Sequence, residues 1–245
     1  YYMYAKTALG RFNDTEGACW ALMQLHARDI PPARPIFNDL ISAYSKEQKY
    51  EDAKACLGYF MEHDLPTRQM LHSILQCVVD DDPVVIYDTF IKRGVVANET
   101  SIGFLIGALV RLKATNKAVG VWKRYRTCEG MGPIPPQSLE SLFDHLLREH
   151  EHRVEAQDKR LLRLASKVAT DLERCNHPIP HRKAYKLFTY TLNENHDVQN
   201  TKEVAQQRDK AEQPNKKGVR AIPKKSSFMK KFDKWNNSHN RSSKK

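Results

Sequence analysis

A fixed spacing of 35 residues constrains this 245-residue chain more than any other feature. Ala18 and Leu22 recur as Ala53 and Leu57, and Asp29-Ile30-Pro31 recurs as Asp64-Leu65-Pro66. A period of this size belongs to chains that stack helical hairpins, because one hairpin cannot bury its apolar face alone. Neighbouring hairpins share a continuous core, and a partner then meets a long face rather than a pocket. Glycine and proline are sparse and fall between apolar-periodic segments, where the turns of such an array lie.

The clearest unit runs from Pro35 to Pro66. Its first helix holds Phe37, Leu40, Ile41 and Tyr44 on one face, at helical spacing. A polar turn, Glu47-Gln48-Lys49, leads to a second helix from Tyr50 to His63 with Ala53, Leu57, Phe60 and Met61 apolar. The small Ala53 allows the two helices a close approach. Residues 1–31 read as an incomplete hairpin with Trp20, Met23 and Leu25 on its second helix, and residues 69–93 as a short one. In the latter, Pro83 follows Asp80-Asp81-Asp82, a cap and dipole signal for a helix start. A further hairpin spans 99–128, then helices follow from Pro136, over 155–174 and over 182–193. The expected fold is all-α, an α-solenoid of about five helix-turn-helix repeats over residues 1–195.

Residues 196–245 differ in composition. Residues 201–245 carry 14 Lys/Arg against four Asp/Glu, which leaves 26 against 25 for the other 200 residues. The formal charge of +11 therefore sits almost wholly in an extended basic tail, a pattern that points to a polyanion partner. A short amphipathic helix is expected near 224–236, where Phe228, Phe232 and Trp235 share a face. Cys19, Cys56, Cys77, Cys128 and Cys175 are scattered without a C-x-x-C pair, which fits free thiols rather than a zinc site or disulfides. No apolar run is long enough to span a membrane. The chain starts at Tyr1 without an initiator Met, so the lack of a targeting segment carries no information.

Phe37-Asn38-Asp39-Leu40-Ile41, Tyr44-Ser45-Lys46 and Tyr50-Glu51-Asp52-Ala53 resemble the pentatricopeptide repeat. Ile41 to Ala53 and Ile106 to Ala118 are both 12 residues apart, and Gly94 to Asn98 resembles the family's repeat end. The resemblance covers roughly residues 1–150 and extends less clearly to 193. The tetratricopeptide repeat is the nearest alternative, but its Trp, Gly and Tyr signature is missing at Leu40–Ser45. The resemblance implies a right-handed solenoid, an organellar setting in the mitochondrial matrix, and RNA as partner.

In that family each repeat can read one base with two or three side chains. The corresponding main positions here are Met3, Asn38, His72, Gly103 and Glu140, and the closing positions are Ala33, Thr67, Asn98 and Pro135. Asn38, Thr67, His72 and Asn98 are the candidates able to hydrogen-bond a base. Met3 and Gly103 offer no such group, and Glu140 brings a charge unfavourable near phosphate. The array therefore reads as a scaffold that touches RNA by shape. Phosphate contacts are expected from Arg111, Lys113, Lys117, Lys123, Arg124 and Arg126, with Arg148, Arg153, Lys159, Arg160, Arg163 and Lys167 on the next helices. In the tail, Lys216, Lys217, Arg220, Lys224, Lys225, Lys230 and Lys231 form a basic arm, and Phe228, Phe232 and Trp235 either dock on a protein or stack on bases.

Catalytic readings find little support. Asp80, Asp81 and Asp82 are contiguous and so diverge instead of converging on a metal. His145 and His152 share a helix face that His150 does not join. No glycine-rich phosphate loop or nucleophile elbow occurs. The sequence is that of a non-enzymatic protein needing no cofactor, metal, membrane or small-molecule substrate. It resembles the scaffolds of mitochondrial ribosomes and their assembly intermediates, with ribosomal RNA and neighbouring proteins as partners. The alternatives are a free-standing organellar transcript-processing or stability factor and a pure protein adaptor.

Overall fold

The computed structural model describes residues 1–28, 30, 33–127, 132–152 and 159–191. Their regular structure is all helical, and no strand occurs among them. α1 (Tyr2–Thr7) runs into a π-helical turn at Ala8–Phe12 and is followed by α2 (Thr15–His26). α3 (Arg34–Lys46), α4 (Tyr50–His63), α5 (Arg68–Cys77) and α6 (Pro83–Lys92) come next. α7 (Glu99–Arg111), α8 (Thr115–Arg126), α9 (Pro136–His152) and α10 (Lys159–Arg174) continue the series, and α11 spans residues 181–191. Among the described residues, no helix is long and apolar enough to cross a membrane.

Local chemistry sets the helix ends. Asp14, Thr67, Asp82 and Asn98 cap α2, α5, α6 and α7 by accepting from backbone N–H groups of the first turn. Asn98 and Ser101 bond reciprocally as a capping box. Pro83 occupies the first turn of α6, where its missing N–H costs nothing. The turns after α3, α7 and α10 each place one residue in the left-handed region: Gln48 (φ 58°), Lys113 (φ 56°) and Asn176 (φ 54°). Gln48 and Lys113 stand in the same register, seven residues after Ile41 and Ile106. The backbone bonds match as well, with Lys49 donating to Tyr44 and Ala114 donating to Leu109.

Packing follows the apolar spacing. α3 packs on α4 and α5, α5 on α7, α7 on α8 and α9, and α9 on α10. Ala53 and Ala118 are fully buried where α4 and α8 approach their partners. One core cluster runs from Ala5 to Leu187, with Phe60, Phe90, Trp122 and Phe143 as its largest members. Burial of this apolar area is the main stabilising term. On α2, Ala18, Ala21, Leu22 and Leu25 are buried, while Trp20 and Met23 remain 51% and 64% exposed.

Polar side chains bridge elements about one repeat apart. Arg34 pairs with Asp64 at 2.6 Å, and Tyr59 Oη meets His26 Nδ1 at 2.7 Å. Lys54 and Tyr50 both bond Asp81, Arg93 donates to the Met61 carbonyl at 3.1 Å, and Lys117 bonds Asp82 at 2.6 Å. Asp171, nearly buried on α10, accepts from Trp122 Nε1 at 3.1 Å and from Arg126 on α8 at 2.8 Å. α11 is held to α9 by Lys183, 2.7 Å from both Glu140 and Asp144, and by Tyr190 and Lys186 on Glu151. Exposed pairs of this kind add little stability singly, but they fix the register between neighbours.

Candidate nucleic-acid interface

The four candidate base-contacting residues are brought together in two pairs, and each is bonded within the protein. Asn38 on α3 and Thr67 at the start of α5 meet directly: Thr67 Oγ1 donates to Asn38 Oδ1 at 2.6 Å and accepts from Met70 N at 3.2 Å. His72 and Asn98 meet through Ser101. Ser101 Oγ donates to Asn98 Oδ1 at 2.9 Å and lies 2.8 Å from His72 Nε2, which makes the imidazole N–H the donor of that bond. His72 stacks on Phe104, with ring centroids 4.6 Å apart. Burial, helped by the charge of Arg68, holds the His72 pKa below that of a free imidazole, in keeping with a neutral ring.

The remaining positions of that set follow the same geometry without polar chemistry. A Cβ on Gly103 would stand 2.7 Å from Ser138 Oγ and 3.1 Å from the Pro135 ring, so a side chain there would force the start of α9 to shift away from α7. Glu140 is engaged by Lys183, which holds its carboxyl below the usual range. Met3 is exposed.

The basic residues of 111–126 divide into two groups. Arg111, exposed along part of its length, donates from Nη2 to the Leu75 and Val78 carbonyls at 2.9 and 3.2 Å, closing the C-terminal end of α5. Arg126 pairs with Asp171 and lies over the Trp122 ring, its guanidinium carbon 5.4 Å from the centroid. Lys117 bonds Asp82 yet stays half exposed, and Lys113, Lys123 and Arg124 are exposed. Arg148, Arg160, Arg163 and Lys167 are exposed on α9 and α10. Lys113, Lys117 and Arg160 line one cavity of about 390 Å³ between the start of α8 and the start of α10, over Val119, Leu161 and Leu164. It is a concave site with three cations at its wall, suited to a phosphate-bearing ligand.

Lys216, Lys217, Arg220, Lys224, Lys225, Lys230, Lys231, Phe228, Phe232 and Trp235 lie outside the described residues, as does the helix expected near 224–236. Arg153 lies outside them too.

Comparison with known proteins finds no family model that matches the chain and no curated protein of significant similarity.

Among the described residues, no group of three His, Cys, Asp or Glu side chains is placed to hold a metal ion. His145 lies 2.8 Å from Thr115 Oγ1, and burial lowers its pKa. His150 lies tilted against Tyr190, with ring centroids 5.2 Å apart. Asp82 caps α6, and Asp81 receives Tyr50 and Lys54. Asp171 is a structural residue that sequence reasoning passed over, and Gly103 is read there only as a base-contacting position without chemistry. A lone acid in a polar-rich helix and one glycine among several gave no periodic signal.

Proposed function

We propose that this chain is a non-catalytic RNA-binding scaffold, built as a right-handed pentatricopeptide-like solenoid of five hairpins and a final helix. Its setting on this reading is the mitochondrial matrix, in the ribosome or an assembly intermediate, where it holds ribosomal RNA against neighbouring proteins. The observation that carries the RNA contact is the convergence of Lys113, Lys117 and Arg160 on one concave site. Cations gathered on a wall bind phosphates irrespective of base sequence. The self-bonded pairs Asn38–Thr67 and His72–Ser101–Asn98 favour shape-based contact over base reading, because a base edge would have to displace bonds already made. The basic tail of residues 201–245 adds the larger share of positive charge. The ribosomal setting rests on the family resemblance and on this charge asymmetry.

The test is sedimentation of the tagged protein from mitochondrial extract, with and without ribonuclease. Co-migration with a ribosomal subunit, abolished by digestion, is the expected result. Migration as a small particle, with crosslinks to one transcript, replaces this reading by that of a transcript-specific factor. Co-migration that survives digestion points to a protein adaptor instead.

A further inference from the structure

We infer that the groove between α2 and α4 is a docking site for an amphipathic helix of a partner protein, one whose apolar face is flanked by lysine or arginine. The groove has a volume of about 400 Å³. Phe37, Leu40 and Tyr44 of α3 form its floor, and Met23 and Tyr59 stand on opposite walls. Grooves of similar size lie between α4 and α6 and between α6 and α8, but charged pairs cross at those later spaces. Lys54 on α4 reaches Asp81 beside α6, Lys117 on α8 reaches Asp82 at the start of α6, and Arg126 on α8 reaches Asp171 on α10. Between α2 and α4 the described bridge is the His26–Tyr59 bond, which leaves the apolar floor open alongside it.

The apolar surface extends beyond the groove. Met23 is 64% exposed at its rim, and Trp20 is 51% exposed nearly one turn earlier on the same helix. Trp20 stands edge-on to Tyr1 and Tyr4, so Met23 is the exposed rim side chain that the apolar face of a docked helix would cover.

Charge selects the occupant. α2 and α4 together carry Glu16, Glu51, Asp52 and Glu62, all exposed, and Asp52 lines the groove itself. Against these four acids the two helices hold no arginine and one lysine, Lys54, already bonded to Asp81; Lys49, just before α4, pairs with Glu47 and lies near Asp52 and Glu16. This acidic border stands on a chain with a net charge of +11. It repels RNA and an anionic membrane. In a symmetric dimer through this face it would set carboxylate against carboxylate. A helix with cationic flanks satisfies both the apolar floor and the acidic rim. The inference rests on the scaffold reading only for the presence of protein neighbours, and its test separates the two.

Two fluorescein-labelled helical peptides serve as probes. Both carry the same leucine stripe; one is flanked by lysine, the other by glutamate. Fluorescence polarisation with the full chain is expected to show the lysine peptide binding about tenfold or more tighter, the scale of charge selection at an interface rim. Met23→Glu should weaken both peptides by placing a charge on the apolar rim. Asp52→Lys should weaken the lysine peptide and strengthen the glutamate peptide. Both residues are exposed, so the fold is expected to tolerate either change, which circular dichroism checks. RNA affinity, measured in parallel, should stay the same in both variants. Equal binding of the two peptides, no binding of either, or indifference to both substitutions overturns the proposal. So does loss of RNA binding in both variants, which would place the groove in the RNA interface. A self-associated chain dissociated by Met23→Glu would assign the groove to a second copy and equally overturn it. If the peptide results hold while RNA binding is absent from the wild type, the groove stands and the RNA reading falls.

Discussion

Arg111 and Lys113 lie two residues apart at the end of one helix, yet their side chains serve different ends. Arg111 closes α5 by donating to two of its C-terminal carbonyls, whereas Lys113 faces the cavity shared with Lys117 and Arg160. Arg111→Met is therefore expected to lower stability by less than about 1.5–3 kcal/mol, the range for hydrogen bonds made by charged groups, because the side chain is partly in solvent, as read by urea denaturation. Lys113→Ala should leave stability unchanged but lower the salt dependence of RNA binding by about one unit of slope, measured by titration at several salt concentrations. Composition could not separate the two, because both are cations in a stretch without acids. What distinguishes them is the position of the α5 terminus, a tertiary fact. His72 and His145 carry a second residue-scale consequence. Burial holds both pKa values below that of the unfolded chain, so the unfolded state takes up protons first as the solution is acidified. The stability these rings contribute is full above about pH 6.5 and is lost as pH falls through their folded values. A melting temperature that declines from neutral pH toward mild acid, with a flatter profile for the His72→Gln/His145→Gln double variant, is the expected result. The paired carboxylates, such as Asp64 and Asp82, are held low and make their loss in a more acidic window.

At the scale of elements, the hairpin register was legible because it is written twice. Ile41 to Ala53 and Ile106 to Ala118 share a spacing, and the structure repeats the turn between them down to the left-handed residue. A Cβ at that backbone conformation costs roughly 1 kcal/mol, so Gln48→Gly is expected to raise the midpoint of thermal unfolding slightly. Gly103 teaches the reverse lesson. Read in family register, it looked like a position that had lost its chemistry; the structure shows a helix start pressed against it, with the Pro135 ring 3.1 Å from where a Cβ would sit. Gly103→Val should therefore destabilise by about 1–3 kcal/mol through overpacking, visible as a shift in the denaturation midpoint without a change in slope. Trp20 and Met23 were placed on the right helix but could not be assigned a side from sequence. The small residues Ala18 and Ala21 take the buried face beside Leu22 and Leu25, and the larger side chains turn outward.

For the whole molecule, charge is sorted along the chain more sharply than apolar pattern is. Residues 1–200 are nearly neutral, with acids bordering the α2–α4 groove and cations gathered where α8 and α10 begin; residues 201–245 carry +10. Replacing Lys216, Lys217, Lys224 and Lys225 by alanine should cost more RNA affinity at low salt than any single change on α8, and the gap should close as salt rises. The bridging bonds add a consequence of another kind. They join residues 27 to 49 positions apart, from Lys54 with Asp81 to Asp171 with Trp122. A nascent chain with such short-range ties can settle behind the exit tunnel as it is made, each segment closing on the one before, without waiting for its far end to be translated.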